Sequence, residues 1–471
     1  MALKSRTDIK SLRFTDSSTT SFPARNLALN IGSDPVEQAA RLGQHFLTRN
    51  RAILASLDVE SSLSYTNSNI NINFQSSSTV GTVPLISPTT GRPDFSLVIE
   101  PRLGWLGLGE MLGTMGWKVL PNIMTNLPLL PRSARDIPRW VMAAIIIPRI
   151  EIILNMIQRR FEYTEEDLSH PRGTINWGAY VSHELPRMQL LRVPCRFPEL
   201  INDRELRAAL HYVLRVQLSS LETQRSAGYF VLVLIDRCQK LIRMVNDVSP
   251  KAPTPKQLYS WMHVSIRNEN FLKGLQAIEW TVEEKGLAGV TDLEGLPWRL
   301  SMDQFFEGWV ESVVGKLAPR IGARVKVGRK QETVVPISWE KSYLGSQKSL
   351  RPDLVLERED EVIIIDAKYK DHWEDLQAHR WTSLEDQIRE AHRTDLLQVL
   401  AYSTLFNAPK ITACLVYPCR KETWTSLKER GQFFRRASVH SGHRQVNLVL
   451  TSVPMCAKQE DVIESLAYIL N

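Results

Sequence analysis

Two carboxylates and an amine stand at the end of an apolar run in residues 350–370, LRPDLVLEREDEVIIIDAKYK. The stretch reads as a strand, a turn and a second strand apolar enough to be buried on both faces. If the hairpin closes symmetrically around Glu359 and Asp360, paired positions have a constant sum. Arg358 then faces Glu361, and Asp353 faces Asp366. Opposed Cβ atoms lie about 4.5–5.5 Å apart, so two like charges placed there repel and need an offset. A divalent cation supplies one, and Mg²⁺ is typically held by one or two carboxylates together with waters and phosphate oxygens. Lys368 lies two residues beyond Asp366 and shares its face. Such a set suits phosphodiester hydrolysis. The cation activates water and neutralises transition-state charge, while Lys368 orients the water or stabilises developing charge.

The elements that must position these groups follow from periodicity. Residues 301–318 predict a helix, with Ser301 and Gln304 at capping-box spacing and an apolar face of Met302, Phe305, Phe306, Trp309, Val313 and Leu317. Residues 392–409 predict a second, with Thr394 as N-cap and Pro409 beyond its end. Residues 410–418 predict a buried strand. Together, residues 286–471 read as an α/β domain with a mixed sheet. Residues 131–285 read as a helical middle domain, with helices over 204–224 and 227–247 and a proline-rich linker at 248–256. Residues 1–130 read as a β-rich N-terminal region. It carries one helix (34–57), a strand (64–74), a loop (76–94), and a strand leading into a Gly-rich helical segment (95–117). The whole is an α+β multidomain chain. The earlier GRPD at 91–94 leads into a strand ending Glu100-Pro101-Arg102, with no paired Asp-x-Lys, and reads as a turn before a strand.

Composition sets outer bounds. A length of 471 residues predicts two or three domains, and a net charge of +7 favours an anionic partner such as DNA. Five scattered cysteines without a CxxC argue against a disulfide scaffold and point to a reducing cytoplasm. The N-terminus has no apolar signal-type run. The apolar segment 140–157 is broken by Pro148, Arg149 and Glu151, and reads as core and not a membrane span. His372, His379 and His392 flank the hairpin without a Cys/His cluster, so they read as bystanders to an oxygen-ligated cation. Two basic stretches, 324–330 and 419–444, could track a DNA backbone, the second carrying Trp424, Phe433 and Phe434; a solvated basic surface explains either equally well. No G-x-x-x-x-G-K-[ST] loop is present, so nucleotide hydrolysis must come from elsewhere.

The pair RPD…IIIDAK resembles the signature of the PD-(D/E)xK nuclease superfamily. Gln398 and Tyr402 match the Q-x-x-x-Y found on the following helix in several branches, and at i, i+4 they share one face. Glu307 stands where the superfamily often keeps an acidic residue near the metal. The segments 96–112, 159–210, 302–310 and 364–370, in that order, resemble McrC-like restriction subunits over roughly residues 95–420. That resemblance implies a C-terminal restriction-endonuclease-like domain cutting DNA with Mg²⁺, Mn²⁺ being a substitute. Asp353 and Asp366 would hold metal with Glu307 assisting, Lys368 would act on water, and Gln398 and Tyr402 would support the site. It also implies a hexameric McrB-like AAA+ GTPase as partner, engaged through the N-terminal portion. A stand-alone DNA-repair nuclease and a non-catalytic stimulator of an AAA+ partner are the alternatives.

Overall fold

The computed structural model describes residues 10–27, 35–66, 69–104, 108–116, 119–128, 139–157, 160–201, 204–263, 269–287, 295–370, 372–441, 444–455 and 458–470. The architecture is mixed α/β and divides into two compact units. One holds Met1–Pro138, Ala227–Val231 and Gly286–Asn471, and the other holds Arg139–Ser226 and Leu232–Lys285. The N-terminal region and the C-terminal α/β region thus lie in one unit.

Within that unit, a five-stranded sheet runs in the order Lys10–Thr15, Phe95–Glu100, Thr79–Leu85, Trp298–Ser301, Asn122–Ile123. The first pair is parallel and the others antiparallel. Thr79–Leu85 is buried at every position, so the first part of the loop expected over 76–94 is in fact a central strand, and residues 86–94 are loop. Its turn-type residues answer to packing. A Cβ on Gly81 would lie 2.2 Å from the carbonyl oxygen of Trp298, so glycine is what lets the neighbouring strand approach. A three-stranded sheet of Thr19–Pro23, Asn69–Ser76 and Val59–Thr66 resolves the expected single strand at 64–74 into a hairpin, packed beside the helix Pro35–Ser56.

The C-terminal sheet has six strands in the order Arg324–Val327, Leu354–Glu357, Glu361–Ala367, Lys410–Cys419, Arg444–Pro454, Phe434–Ser441. Glu361–Ala367, Lys410–Cys419 and Arg444–Pro454 pair in parallel, and the flanking pairs are antiparallel. The continuous apolar runs of the parallel core are what burial on both faces demands. The helix Met302–Arg320 starts where the cap predicts, with Ser301 Oγ accepting from Gln304 N at 3.3 Å. It buries all six residues of the expected face. The other helix differs from expectation. It spans Asp386–Ser403, so Thr394 is no cap; its hydroxyl donates to the Glu390 carbonyl at 2.9 Å. The early turns, DQIREAHR, are mostly solvated helix formers and carry no apolar stripe to mark them.

In the second unit, the helix Trp140–Met156 packs against Arg204–Glu222 and Glu269–Val282. A Cβ on Gly274 would stand 3.0 Å from Ile153 Cβ, so these helices touch nearly backbone to backbone. No helix among the described residues is long and apolar enough to cross a membrane. The region is not helical alone. Arg160–Leu168, Val193–Ile201 and Thr174–Ile175 form an antiparallel sheet that hydrophobic alternation does not reveal.

Candidate active site

The hairpin pairs Leu354 with Ile365, Val355 with Ile364, Leu356 with Ile363 and Glu357 with Val362. The sum is constant, and the turn closes with Arg358 N donating to Glu361 O at 2.8 Å. Extending this register by one position sets Asp353 against Asp366. Asp353 Oδ2 accepts from Ala367 N at 2.9 Å, which fixes that carboxylate across the strand end. Its own backbone is clamped from the other side: Gly328 N donates to Asp353 O at 2.8 Å, and Thr333 Oγ1 to Pro352 O at 2.6 Å. A Cβ on Gly328 would lie 2.5 Å from Pro352 O, so this clamp requires glycine.

Asp366 is 0% exposed. Lys368 Nζ lies 2.8 Å from its Oδ2, while Oδ1 has no hydrogen-bond partner among the described residues. A fully buried carboxylate oxygen left without a donor is costly, and its usual justification is a ligand. The electrostatics agree. Burial, then repulsion from Asp366 and Glu307, pushes the Asp353 carboxyl up to about 8. Burial also raises Glu307, with Lys368 opposing. Burial alone would depress the Lys368 amine, but Asp366 and Asp353 hold it above its usual value. Asp353, Asp366, Glu307 and Lys368 therefore share one electrostatic field. Among the described residues no three Asp, Glu, His or Cys side chains close around a single point. The donor set is a carboxylate pair with Glu307 behind it, which fits a hard cation that keeps waters and takes phosphate oxygens, and does not fit a zinc cage.

Gln398 and Tyr402 lie on the Asp386–Ser403 helix, which packs against Glu361–Ala367 and Lys410–Cys419, and Gln398 Nε2 donates to Tyr402 Oη at 2.9 Å. One turn earlier stands a residue the spacing did not single out. Asp395, 2% exposed, accepts from Lys370 Nζ at 2.6 Å and from Tyr417 Oη at 3.0 Å. His392 Nδ1 lies 3.0 Å from the same Tyr417 oxygen, so His392 belongs to the same buried network. The signal for Asp395 was a carboxylate three residues before Gln398, on the same helical face. The network also acts on the centre: Asp395 helps raise Lys368, and Asp366 helps raise Tyr417.

The earlier Glu-Pro-Arg also has a place. Arg102 stacks over the Tyr369 ring at 4.4 Å, its backbone N donates to Asp16 Oδ1 at 2.6 Å, and its Nε lies 3.8 Å from Asp16 Oδ2. The strand end Lys10–Thr15 and the strand end Phe95–Glu100 thereby grip the residue next to Lys368. Part of each basic stretch is engaged within the fold. In 324–330, Lys326 pairs with Glu357 at 2.6 Å and Arg329 Nε donates to Glu311 Oε2 at 3.0 Å. In 419–444, Trp424 and Phe433 are buried, so they pack the fold and offer no stacking platform to bases. The four described cysteines (195, 238, 414, 419) are buried and form no disulfide with one another, and burial pushes Cys414 up to about 12; Cys456 lies outside the described residues.

The family model described as "McrBC 5-methylcytosine restriction system component" matches residues 86–418. The chain belongs to the McrBC restriction family. The matched span holds the whole hairpin, Arg102 and the Asp395 to Tyr402 face. No curated protein matches this McrBC chain. Two solved structures from Thermococcus gammatolerans are similar to it. One is a half-complex of McrB AAA+ hexamers with bound McrC, at 15% identity and a TM-score of 0.43, covering 98% of this chain and 100% of that one. The other is a cryo-EM McrBC complex, at 14% identity and a TM-score of 0.27, covering 65% and 88%.

Proposed function

We propose that this chain is the Mg²⁺-dependent DNA endonuclease subunit of an McrBC-like restriction complex, with a PD-(D/E)xK centre, working with an McrB-like AAA+ GTPase in the reducing cytoplasm. The observation that carries this is Asp366: fully buried, one oxygen without a donor, Lys368 on the other, and Asp353 opposed across the hairpin. Asp353 and Asp366 would hold the cation, which when bound acidifies water and neutralises phosphate charge. Lys368 offers a proton-bearing Nζ to the attacking water or the scissile phosphate, and Asp366 keeps it charged. Glu307 would assist Asp353 and Asp366 in holding the cation or accept a proton from water, since burial and its carboxylate neighbours raise its basicity. The Gln398–Tyr402 pair places an amide and a phenol on the adjoining helix face, where they brace the site or a phosphate.

Purified protein, with and without an AAA+ partner, GTP or ATP and Mg²⁺, should cut methylated plasmid only when partner and nucleotide are present. Cleavage by the chain alone would instead establish a self-sufficient nuclease.

Metal binding should also be visible without turnover. Asp353 holds its proton more tightly folded than unfolded, because its carboxyl is raised from 3.8 to about 8. Its contribution to stability is therefore full below the unfolded value and is lost as pH rises through about 8. A cation competes with that proton, so Mg²⁺ should stabilise the protein more at about pH 8.5 than at about pH 6. Saturation a hundredfold above Kd corresponds to about 2.7 kcal/mol. Thermal melts should show a rise of several degrees at the higher pH, absent in Asp353→Asn. Equal Mg²⁺ shifts at both pH values would remove Asp353 from the metal site.

A further inference from the structure

In the second basic stretch Trp424 and Phe433 are buried and Phe434 is half-buried, whereas a third segment displays aromatic side chains openly. Between the paired strands Val335–Pro336 and Ser349–Leu350, residues 337–348 form an arm whose apolar side chains face solvent. Leu344 is 109% exposed, Tyr343 60% and Trp339 44%.

The arm carries its own hydrogen bonds although no described residue covers its tip. Ile337 N donates to Lys348 O at 2.8 Å, extending the strand pair by one rung, and Ser346 N donates to Tyr343 O at 2.9 Å across the tip. Trp339 and Tyr343 meet edge to face, with centroids 5.4 Å apart, and Trp339 Nε1 donates to Gln347 O at 2.6 Å. Exposed apolar groups held this firmly mark a contact surface. Lys341, Lys348 and Arg351 are exposed along the same segment, against one acid, Glu340. The arm's second strand runs through Arg351 and Pro352 into Asp353, whose backbone Gly328 clamps. Leu344 is nine residues from Asp353, which spans at most about 30 Å, or about nine base pairs of duplex.

We infer that residues 337–348 are a DNA-probing arm, with Leu344 and Tyr343 wedging into or stacking on bases and Lys341, Lys348 and Arg351 contacting the flanking phosphates. The inference rests on the nuclease reading and adds the side chains that hold the substrate beside the hairpin. Apolar wedges of this kind unstack a base step, and aromatic rings accept any base, so the arm positions DNA without reading sequence. Its basic neighbours set the salt dependence.

The test uses the full chain, bound to duplexes of about 30 base pairs carrying 2-aminopurine at successive positions, read by anisotropy and by 2-aminopurine emission. Wild type should enhance emission at one or two positions. Tyr343→Ser with Leu344→Ser should abolish that enhancement and weaken binding about tenfold with an unchanged salt slope, while Lys341→Ala with Lys348→Ala should flatten the slope. All substituted positions are exposed, so folding is not at stake. Unchanged emission and affinity in the Ser variant would overturn the inference. So would normal DNA binding by that variant combined with lost stimulation of an AAA+ partner, which would make the arm a protein contact. Asp366→Ala runs alongside: continued cleavage by it would sink the nuclease reading, whereas its silence beside an unaffected Ser variant would sink only the arm.

Discussion

Asp366→Asn should lower DNA cleavage by about 10³-fold or more, equivalent to about 4 kcal/mol of transition-state stabilisation, while making the metal-free protein more stable. Both effects follow from one side chain. Its charge is fully buried, one oxygen lacks a donor, and it sits opposite Asp353, which it repels. Asparagine removes that repulsion while keeping the shape. Lys368 does not become an orphan, because Asp353 and Asp395 still act on it. On the proposed function the variant gives up a metal ligand and gains stability, the trade expected where a site is built for chemistry and not for stability. Plasmid cleavage and a chemical melt on the same preparation check it. Activity within tenfold of wild type would show that the hairpin is not catalytic. A lower melting point would show that Asp366 is a structural residue whose partner lies elsewhere.

Arg102→Leu should cost about 3–5 kcal/mol, the usual penalty for stranding one member of a buried ion pair. Asp16 is 1% exposed and Arg102 is its nearby counter-charge. Burial already raises Asp16, and Arg102 is the largest of the influences that oppose it. Adding Asp16→Asn to Arg102→Leu should recover more than half of the loss, because the uncompensated charge disappears with it. Activity should fall as well, since Tyr369 loses the guanidinium stacked on its ring, one residue from Lys368. Urea denaturation of the two single variants and the double variant gives the cycle. Additive effects would mean that the two residues do not act as a pair.

The candidate centre was legible because it is local. A hairpin with a short turn fixes its own register, so a constant sum places Asp353 against Asp366, and period two places Lys368. Parallel strands such as Lys410–Cys419 are legible for a similar reason, since burial on both faces leaves an unbroken apolar run. Long-range partners leave no such trace. Nothing near Tyr369 announces Arg102 and Asp16, hundreds of residues earlier, and Asp395 resembles any polar helix residue until Lys370 and Tyr417 arrive from other strands. Thr79–Leu85 misleads because its glycine and proline satisfy a neighbouring strand and not a turn. Trp424 and Phe433 mislead because an aromatic among arginines looks the same whether it faces solvent or core.

The strand Trp298–Ser301 lies between Thr79–Leu85 and Asn122–Ile123 and runs directly into the helix that carries Glu307, and Met302 N donates to Ser78 O at 2.9 Å. A recombination event that joined the first hundred residues of one restriction gene to the last two hundred of another would have to rebuild this sheet at the junction. Trp298, 1% exposed, would meet a foreign neighbour, and Gly81 a carbonyl it was not shaped for. The C-terminal α/β region and the N-terminal portion are therefore bound to be inherited together, and diversification of such systems should proceed by exchanging the segments between them.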